Sequence, residues 1–427
     1  MDNDRRAQHK SLFSGSSESL KTEQDELQYF RICLKWTCVD QSNAWRASLS
    51  WSVFFLLVII VPILSHLLYS CSTCDEKHRR SYDAVVQISL SVFASVSFLC
   101  LSSWFRKYGL SRFLFLDRLY DVSGKVRGEY SAQFHRSTKI LCAFVLPIFA
   151  VEAAYKIWWY ITGATEITYF ENIYLSDMIA CTLMLCSWLY RTTIFFLVCI
   201  LYRLICYLQI LRMDDYAQVF QRETEVGSIL KEHLRIRRTL RIISHRFRLF
   251  ILLAIVLVTA SQLAALLCTT SSTSDVNVYK AGELALCSIS LVTGLFICLR
   301  SSTKITHKAQ SMTCLAAKWH VCCTIDSFES AEETPRAQIV SSEPQFWESE
   351  DEEEKDGEDA LDNTKMVPNF SHTISFQKRQ ALVTYLENNN AGITVYGFML
   401  DRTRLHTVFA IQLSLLLWLL NKTIGIS

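Results

Sequence analysis

Leu49-Ser-Trp-Ser-Val-Phe-Phe-Leu-Leu-Val-Ile-Ile-Val-Pro-Ile-Leu-Ser-His-Leu-Leu-Tyr69 carries no acid, lysine or arginine. A helix needs roughly 20 mainly apolar residues to cross the hydrocarbon core of a bilayer, and this run has that length. Six more stretches of the same kind follow: Ala84–Phe105, Thr138–Ile161, Met178–Tyr202, Phe250–Cys268, Glu283–Leu299 and Leu405–Leu420. The third carries Glu152 and Lys156, and the sixth is short. Composition agrees with this distribution. Among 427 residues, 12 Gly and 5 Pro are too few for the turns of several soluble domains, and a mean hydropathy of +0.20 is high for a soluble chain. A formal net charge of +2 leaves no nucleic-acid footprint. The fold class expected is all-α, a polytopic membrane protein of seven transmembrane helices.

Most Lys and Arg fall on one side of these spans; on the other, the first loop has only Lys77, Arg79 and Arg80, and the tail only Lys422. Arg5, Arg6, Lys10, Lys21, Arg31, Lys35 and Arg46 precede the first, and Arg106, Lys107, Arg112, Arg118, Lys125, Arg127 and Arg136 follow the second. A third basic group runs from Arg212 to Arg248. The segment 162–177 has neither residue type, and the segment after the fifth span has only Lys280. By the positive-inside rule the N-terminus is cytosolic and the C-terminus extracytosolic, the reverse of a G-protein-coupled receptor. The first 48 residues are polar, and the run after them is too long for the apolar core of a signal peptide, so a retained anchor is expected. A multi-pass membrane location follows, with the plasma membrane as the default.

The inner segments are long and free of helix breakers. Tyr202–Arg248 has no Pro and one Gly, Ser301–Cys323 continues the sixth span, and Ser371–Leu386 is amphipathic. Together they predict a cytosolic anchor bundle. The expected division is 1–48 as a cytosolic N-terminal segment, 49–325 as helices one to six with their extensions, 326–370 as an acidic insertion, and 371–427 as an amphipathic helix plus the seventh span. Glu343–Asp362 carries eleven acids and cannot bury enough apolar surface to fold alone.

On a helical wheel Thr403, Thr407, Ala410, Ser414, Leu417 and Asn421 share one face of the last span, with Gln412 opposite. A small, hydroxyl-rich stripe suits a wet pore lining with an apolar ring at Leu417, or close packing of helices in lipid; Gln412 needs a partner on a neighbouring helix. Ionisable residues within spans are costly and mark function by default. Glu152 has two candidate partners, Lys156 one turn on and Arg191 in the fourth span. Tyr155, Lys156, Trp158, Trp159 and Tyr160 then run to the outer face, as an aromatic belt or, with Tyr169, Phe170 and Tyr174, as walls of a pocket. The ligand-pocket candidates are Glu152, Tyr155, Lys156, Trp159 and Arg191. Residues 231–248 form a basic amphipathic stretch, read as an inner helix of the bundle or as a site for calmodulin or anionic lipid. Of 16 Cys, most lie in spans or inner segments and act as small apolar groups. Cys71 and Cys74 have each other or Cys268 as outer-side partners. Cys33/Cys38 and Cys322/Cys323 lack zinc-ligand spacing with His, so no metal or other cofactor is expected.

The C-terminal stretch Phe376-Gln-Lys-Arg-Gln-Ala-Leu-Val-Thr-Tyr-Leu-Glu-Asn-Asn-Asn-Ala-Gly-Ile-Thr-Val-Tyr-Gly-Phe-Met-Leu-Asp-Arg402 runs into Leu405-His406 and Leu415-Leu-Leu-Trp-Leu-Leu-Asn-Lys-Thr423. It resembles a plant family of unknown function labelled extracellular ligand-gated ion channel, itself regarded as distantly related to the insect odorant and gustatory receptors. Arg379, Tyr385, Asn389, Gly392, Gly397, Asp401, Arg402 and Trp418 carry the motif. The resemblance, from about Glu26 onward, implies a homotetrameric ligand-gated cation channel whose last span lines a central pore. It also implies a small-molecule pocket open to the outside among the earlier helices. The gustatory Thr-Tyr and Gln-Phe pairs stand here as Ser414-Leu415 and Asn421-Lys422, and the acidic insertion before the last span is long.

Rival classes find less support. A seven-helix zinc hydrolase needs several membrane-embedded His, and only His66 and His406 lie in or near spans. No nucleophile triad, phosphate loop or nucleotide motif is present, so enzymatic activity is not expected. Transporters show repeats and broken midplane helices; Pro62 and Pro147 are the only prolines within spans. A non-conducting receptor or scaffold stays open.

Overall fold

The computed structural model describes residues 44–68, 82–108, 124–162, 173–222, 226–270, 278–332, 376–389 and 391–424. The polar N-terminal segment before 44, Cys71, Cys74, Tyr169, Phe170 and the acidic stretch Glu343–Asp362 lie outside them. In chain order the helices are α1 (Ala44–Phe54), a π-helical turn (Phe55–Ile60), α2 (Val61–Leu68), α3 (Asp83–Tyr108), α4 (Gly124–Thr162), α5 (Ile173–Arg222), α6 (Val226–Thr270), α7 (Val278–Glu332), α8 (Phe376–Asn388) and α9 (Arg402–Ile424). A two-stranded antiparallel hairpin, β1 (Thr394–Val395) with β2 (Phe398–Met399), sits between α8 and α9.

Seven helices among the described residues are long and apolar enough to cross a membrane, and each overlaps one of the stretches read from the sequence. Only helices satisfy every backbone group internally in lipid, which is why near-continuous apolar runs take this form. The chain is a multi-pass membrane protein. The apolar runs mark only part of each long helix: α5, α6 and α7 have 50, 45 and 55 residues. Helix α7 continues to Glu332, past the boundary expected at 325.

The chain divides into two compact units. The first comprises Met1–Leu201, Leu253–Leu295 and Ile411–Ser427, and the second Tyr202–Leu252 and Phe296–Ala410. The chain passes between them within α5, α6, α7 and α9. In the apolar stretch of the fourth span 83% of the residues are buried, against 17% in that of the last. Phe195 of α5 packs edge-on against Phe93 of α3 at 5.2 Å, and Gly294 of α7 offers the ring a surface without a side chain. In the second unit the Tyr202 hydroxyl hydrogen-bonds Ser302 at 2.5 Å, and its ring lies 4.7 Å from that of Phe247.

Pro62 explains the π turn. Proline has no N–H to offer the carbonyl four residues back, so Val58 O is left without its α-helical donor. The chain widens there instead, and Val61 N–H donates to Leu56 O, five residues back. Ser91 of α3 donates its hydroxyl to Val58 O at 2.9 Å, and Ser187 of α5 donates to Leu57 O at 2.5 Å. The remaining face of this span, including Phe55, Leu56, Ile59, Ile60, Ile63, Leu64 and Leu67, is exposed and apolar, as a lipid-facing surface is.

Candidate functional site

The ionisable residues of the spans meet inside the first unit. Glu152, Lys156, Arg191 and Glu283 are 0%, 1%, 1% and 7% exposed. Lys156 of α4 donates to Glu283 Oε1 of α7 at 2.8 Å and stands 3.2 Å from Glu152 Oε1 one turn earlier on its own helix. Of the two partners open to Glu152, the structure selects Lys156. Arg191 instead binds neutral acceptors: Nε donates to Ser187 O at 3.3 Å, and Nη1 to Gln87 O at 3.4 Å and Ser91 Oγ at 3.3 Å. Since Ser91 also covers Val58 O, Arg191 holds the hydroxyl that completes the π turn. Nearby in sequence, Gln87 Nε2 donates to Asp83 Oδ1 at 3.0 Å, and Asp83 Oδ2 lies 3.4 Å from His66 Nδ1.

Glu283 was legible only as the polar edge of the sixth span. Its role comes from the packing of α7 against α4, which brings a second carboxylate to one ammonium. Trp159 is buried in an edge-on pair with Tyr160, ring centroids 5.0 Å apart, against Trp158, Ala180 and Cys181. These two rings therefore face protein, whereas Tyr155 is half-buried, 6.2 Å from Trp158. Cys268 is free.

On α9 the wheel reading separates the two faces. Thr403, Thr407, Ala410, Ser414, Leu417 and Asn421 are all exposed, while Gln412, Leu416 and Leu419 on the opposite face are buried. Gln412 finds the partner it needs on α6: its Nε2 donates to Thr259 Oγ1 at 2.6 Å, and Gln262 Nε2 donates to Gln412 O at 3.2 Å. A double-mutant cycle of Gln412→Leu with Thr259→Val is expected to give a coupling of about 0.6 kcal/mol, the usual worth of such a bond in lipid. Additive effects would mean the bond is absent in the bilayer.

On α6 the apolar face, including Ile229, Ile236, Leu240, Ile243 and Phe247, is buried. Lys231, Arg235, Arg238, Arg241 and His245 are exposed. A calmodulin site needs apolar anchors that a partner can reach; most of those on α6 are buried, while Leu234 and Leu249 are exposed. No group of three or more His, Cys, Asp or Glu able to hold a metal occurs among the described residues.

The model of a family described as a protein of unknown function (DUF3537) matches residues 25–411. The chain belongs to that family. No curated protein matches it at a significant level. The solved structure of the insect olfactory receptor OR5 from Machilis hrabei aligns over 88% of this chain and 89% of that one, at 12% identity and a TM-score of 0.49. The same receptor in complex with eugenol aligns over 89% and 90%, at 13% identity and a TM-score of 0.47.

In this DUF3537 protein the C-terminal motif residues from Arg379 to Arg402, all within the second unit, build the turn that leads into the last helix. Arg237 Nη1 of α6 donates to the Tyr385 hydroxyl at 3.3 Å and to Asn389 Oδ1 at 2.8 Å, and Arg379 is buried on the same helix as Tyr385. A Cβ on Gly392 would meet Thr306 Cγ2 at 2.9 Å, and the adjacent Ile393 N–H donates to Thr306 Oγ1 at 3.1 Å. Tyr396 and Gly397 have φ of +48° and +89° in the two-residue loop between β1 and β2, where both positions of a tight hairpin turn require positive φ. Asp401 Oδ1 accepts Arg404 N–H at 3.2 Å, capping α9 just before Arg402 begins it. Trp418, seven residues past the end of the family match, is exposed.

Proposed function

We propose that this protein is a ligand-gated, cation-preferring channel in which the last helices of four copies surround a pore. One observation carries this reading: α9 is the least buried span, yet its exposed face holds Thr403, Thr407, Ser414 and Asn421. Polar side chains within a span face a bundle interior or a water-filled cavity more often than lipid, and here Thr407 Oγ1 also donates to Thr403 O at 3.0 Å. Water along a central axis, with sister helices on either side, accommodates both the hydroxyls and Ala410. Leu417 supplies an apolar ring able to close such a path by dewetting. Cation preference is the expectation carried by the family resemblance.

Under this reading the N-terminus is cytosolic, the plasma membrane is the default location, and the exposed basic face of α6 meets anionic lipid. A small molecule enters from the outside, where Glu152, Lys156, Arg191, Tyr155 and Trp159 provide the pocket. It shifts the closed-to-open equilibrium by its differential affinity for the two states.

Planar-bilayer current from the purified protein, with the particle sized by mass photometry, tests the proposal. A tetramer that conducts, and whose reversal potential moves toward anions in Ser414→Lys, is the expected result. A silent tetramer would favour a receptor or scaffold that does not conduct, and a silent monomer would remove the pore altogether.

A further inference from the structure

The buried charges of the first unit bear on which kind of molecule would bind there. Lys156 and Arg191 are two cations among three buried carboxylates, Glu152, Glu283 and Asp83, and Asp83 lies 3.4 Å from His66. An apolar ligand would leave polar groups of this region unmatched. Glu152 Oε2 accepts no hydrogen bond among the described residues, and Oε1 has the Lys156 ammonium at 3.2 Å. Gln87 Oε1 accepts none either, and the indole Nε1–H of buried Trp188 has no acceptor. Arg191, although buried, has no carboxylate within 4 Å among the described residues; Glu283, Asp83 and Glu152 act on it only through space. Buried polar groups left in this condition call for an unmade partner.

These groups lie on facing helices. The Phe149 and Trp188 rings stand 6.1 Å apart between α4 and α5. Glu152 follows Phe149 by one turn and Arg191 follows Trp188 by one turn. Gln87, whose carbonyl already accepts from Arg191, comes from α3. Unused acceptors (Glu152 Oε2, Gln87 Oε1), an unused donor (Trp188) and an Arg191 held only by neutral acceptors thus share one polar region.

We propose that this region binds a small net-neutral zwitterion, its ammonium toward Glu152 and its carboxylate toward Arg191. The inference rests on the reading that these helices hold a ligand pocket, and adds the chemical class. Arg191 is then a positioning residue as well as a contact. When its guanidinium turns to a carboxylate it loosens its hold on Ser91, and through Ser91 on Val58 O.

The test titrates the full-length protein in lipid nanodiscs with glycine, β-alanine and 4-aminobutanoate, which step the ammonium and carboxylate apart. Propylamine, propionate and eugenol serve as controls. Tryptophan fluorescence and the thermal midpoint are read in wild type and in Trp188→Phe. At least one zwitterion is expected to bind with a Kd below about 1 mM, with a fluorescence change that Trp188→Phe removes. Propylamine and propionate should bind at least about 10-fold more weakly, and Arg191→Gln should cost about 10- to 100-fold, the worth of a charge-assisted bond. Arg191→Lys, which keeps the charge, guards against loss of folding in that variant. Equal or tighter binding of eugenol or propylamine overturns the proposal. So does the absence of any zwitterion effect in a preparation that conducts, and that result leaves the channel reading standing.

Discussion

Lys156→Met is expected to be the most damaging single replacement in the spans, lowering stability by about 3–5 kcal/mol. Lys156 is the one ammonium between Glu152 and Glu283, at 3.2 and 2.8 Å. Without it, both carboxylates lose the ammonium that stands between them in the low-dielectric interior. The cost comes from stranding those charges rather than from losing a favourable bond. Replacing a whole buried ion group by apolar or neutral residues is often neutral or stabilising. The triple variant Lys156→Met, Glu152→Gln, Glu283→Gln should therefore recover much of what Lys156→Met loses. The fraction of monodisperse protein surviving a heating series, read by fluorescence-detected size exclusion, measures both. Equal survival of Lys156→Met and wild type would mean that the three side chains do not meet as described.

Gly294→Val is the second large effect, about 3 kcal/mol, at the upper end of overpacking costs. A Cβ at 294 would fall inside contact distance of the Phe195 ring, 2.7 Å from its Cζ. That ring has little room to retreat, because Phe195 is buried and Phe93 stands against it. Combining Gly294→Val with Phe195→Leu should return part of the loss. Gly282 is the internal control: nothing lies within 4 Å of a Cβ placed there, so Gly282→Ala should be neutral or slightly stabilising. If Gly294→Val survives heating as well as Gly282→Ala, α5 and α7 do not approach as closely as the structure has them.

Hydropathy was enough to locate all seven spans, because in lipid the length of an apolar run and its helical form are the same constraint. The helix ends were less legible. Polar residues continue α5, α6 and α7 well beyond their apolar stretches, and nothing in the hydropathy marks where they stop. The wheel of the last span anticipated that Gln412 needs a helix partner, since a buried amide has few alternatives. It could not name Thr259, which depends on the register between α6 and α9. The pairing of Glu152 with Lys156 was one of two options in the sequence, but Glu283 was not foreseen. An acid at the start of an apolar run normally sits at the interface, and only tertiary packing made it a third member. The exposed stripe on α9 is periodic and so legible. The C-terminal motif was recognisable as a pattern, whereas its task of shaping a turn required the positive φ of Tyr396 and Gly397.

Pro62 has a consequence for how the protein is made. The stretch around the π turn emerges from the ribosome before α3 and α5 exist, yet the hydroxyls that cover two of its carbonyls belong to Ser91 and Ser187. The first span thus enters the bilayer with backbone that hydrocarbon cannot satisfy, and is finished by residues synthesised later. Until those arrive it is an unfinished segment, which ties its integration to that of its two successors. The first of the seven spans is the one that must wait.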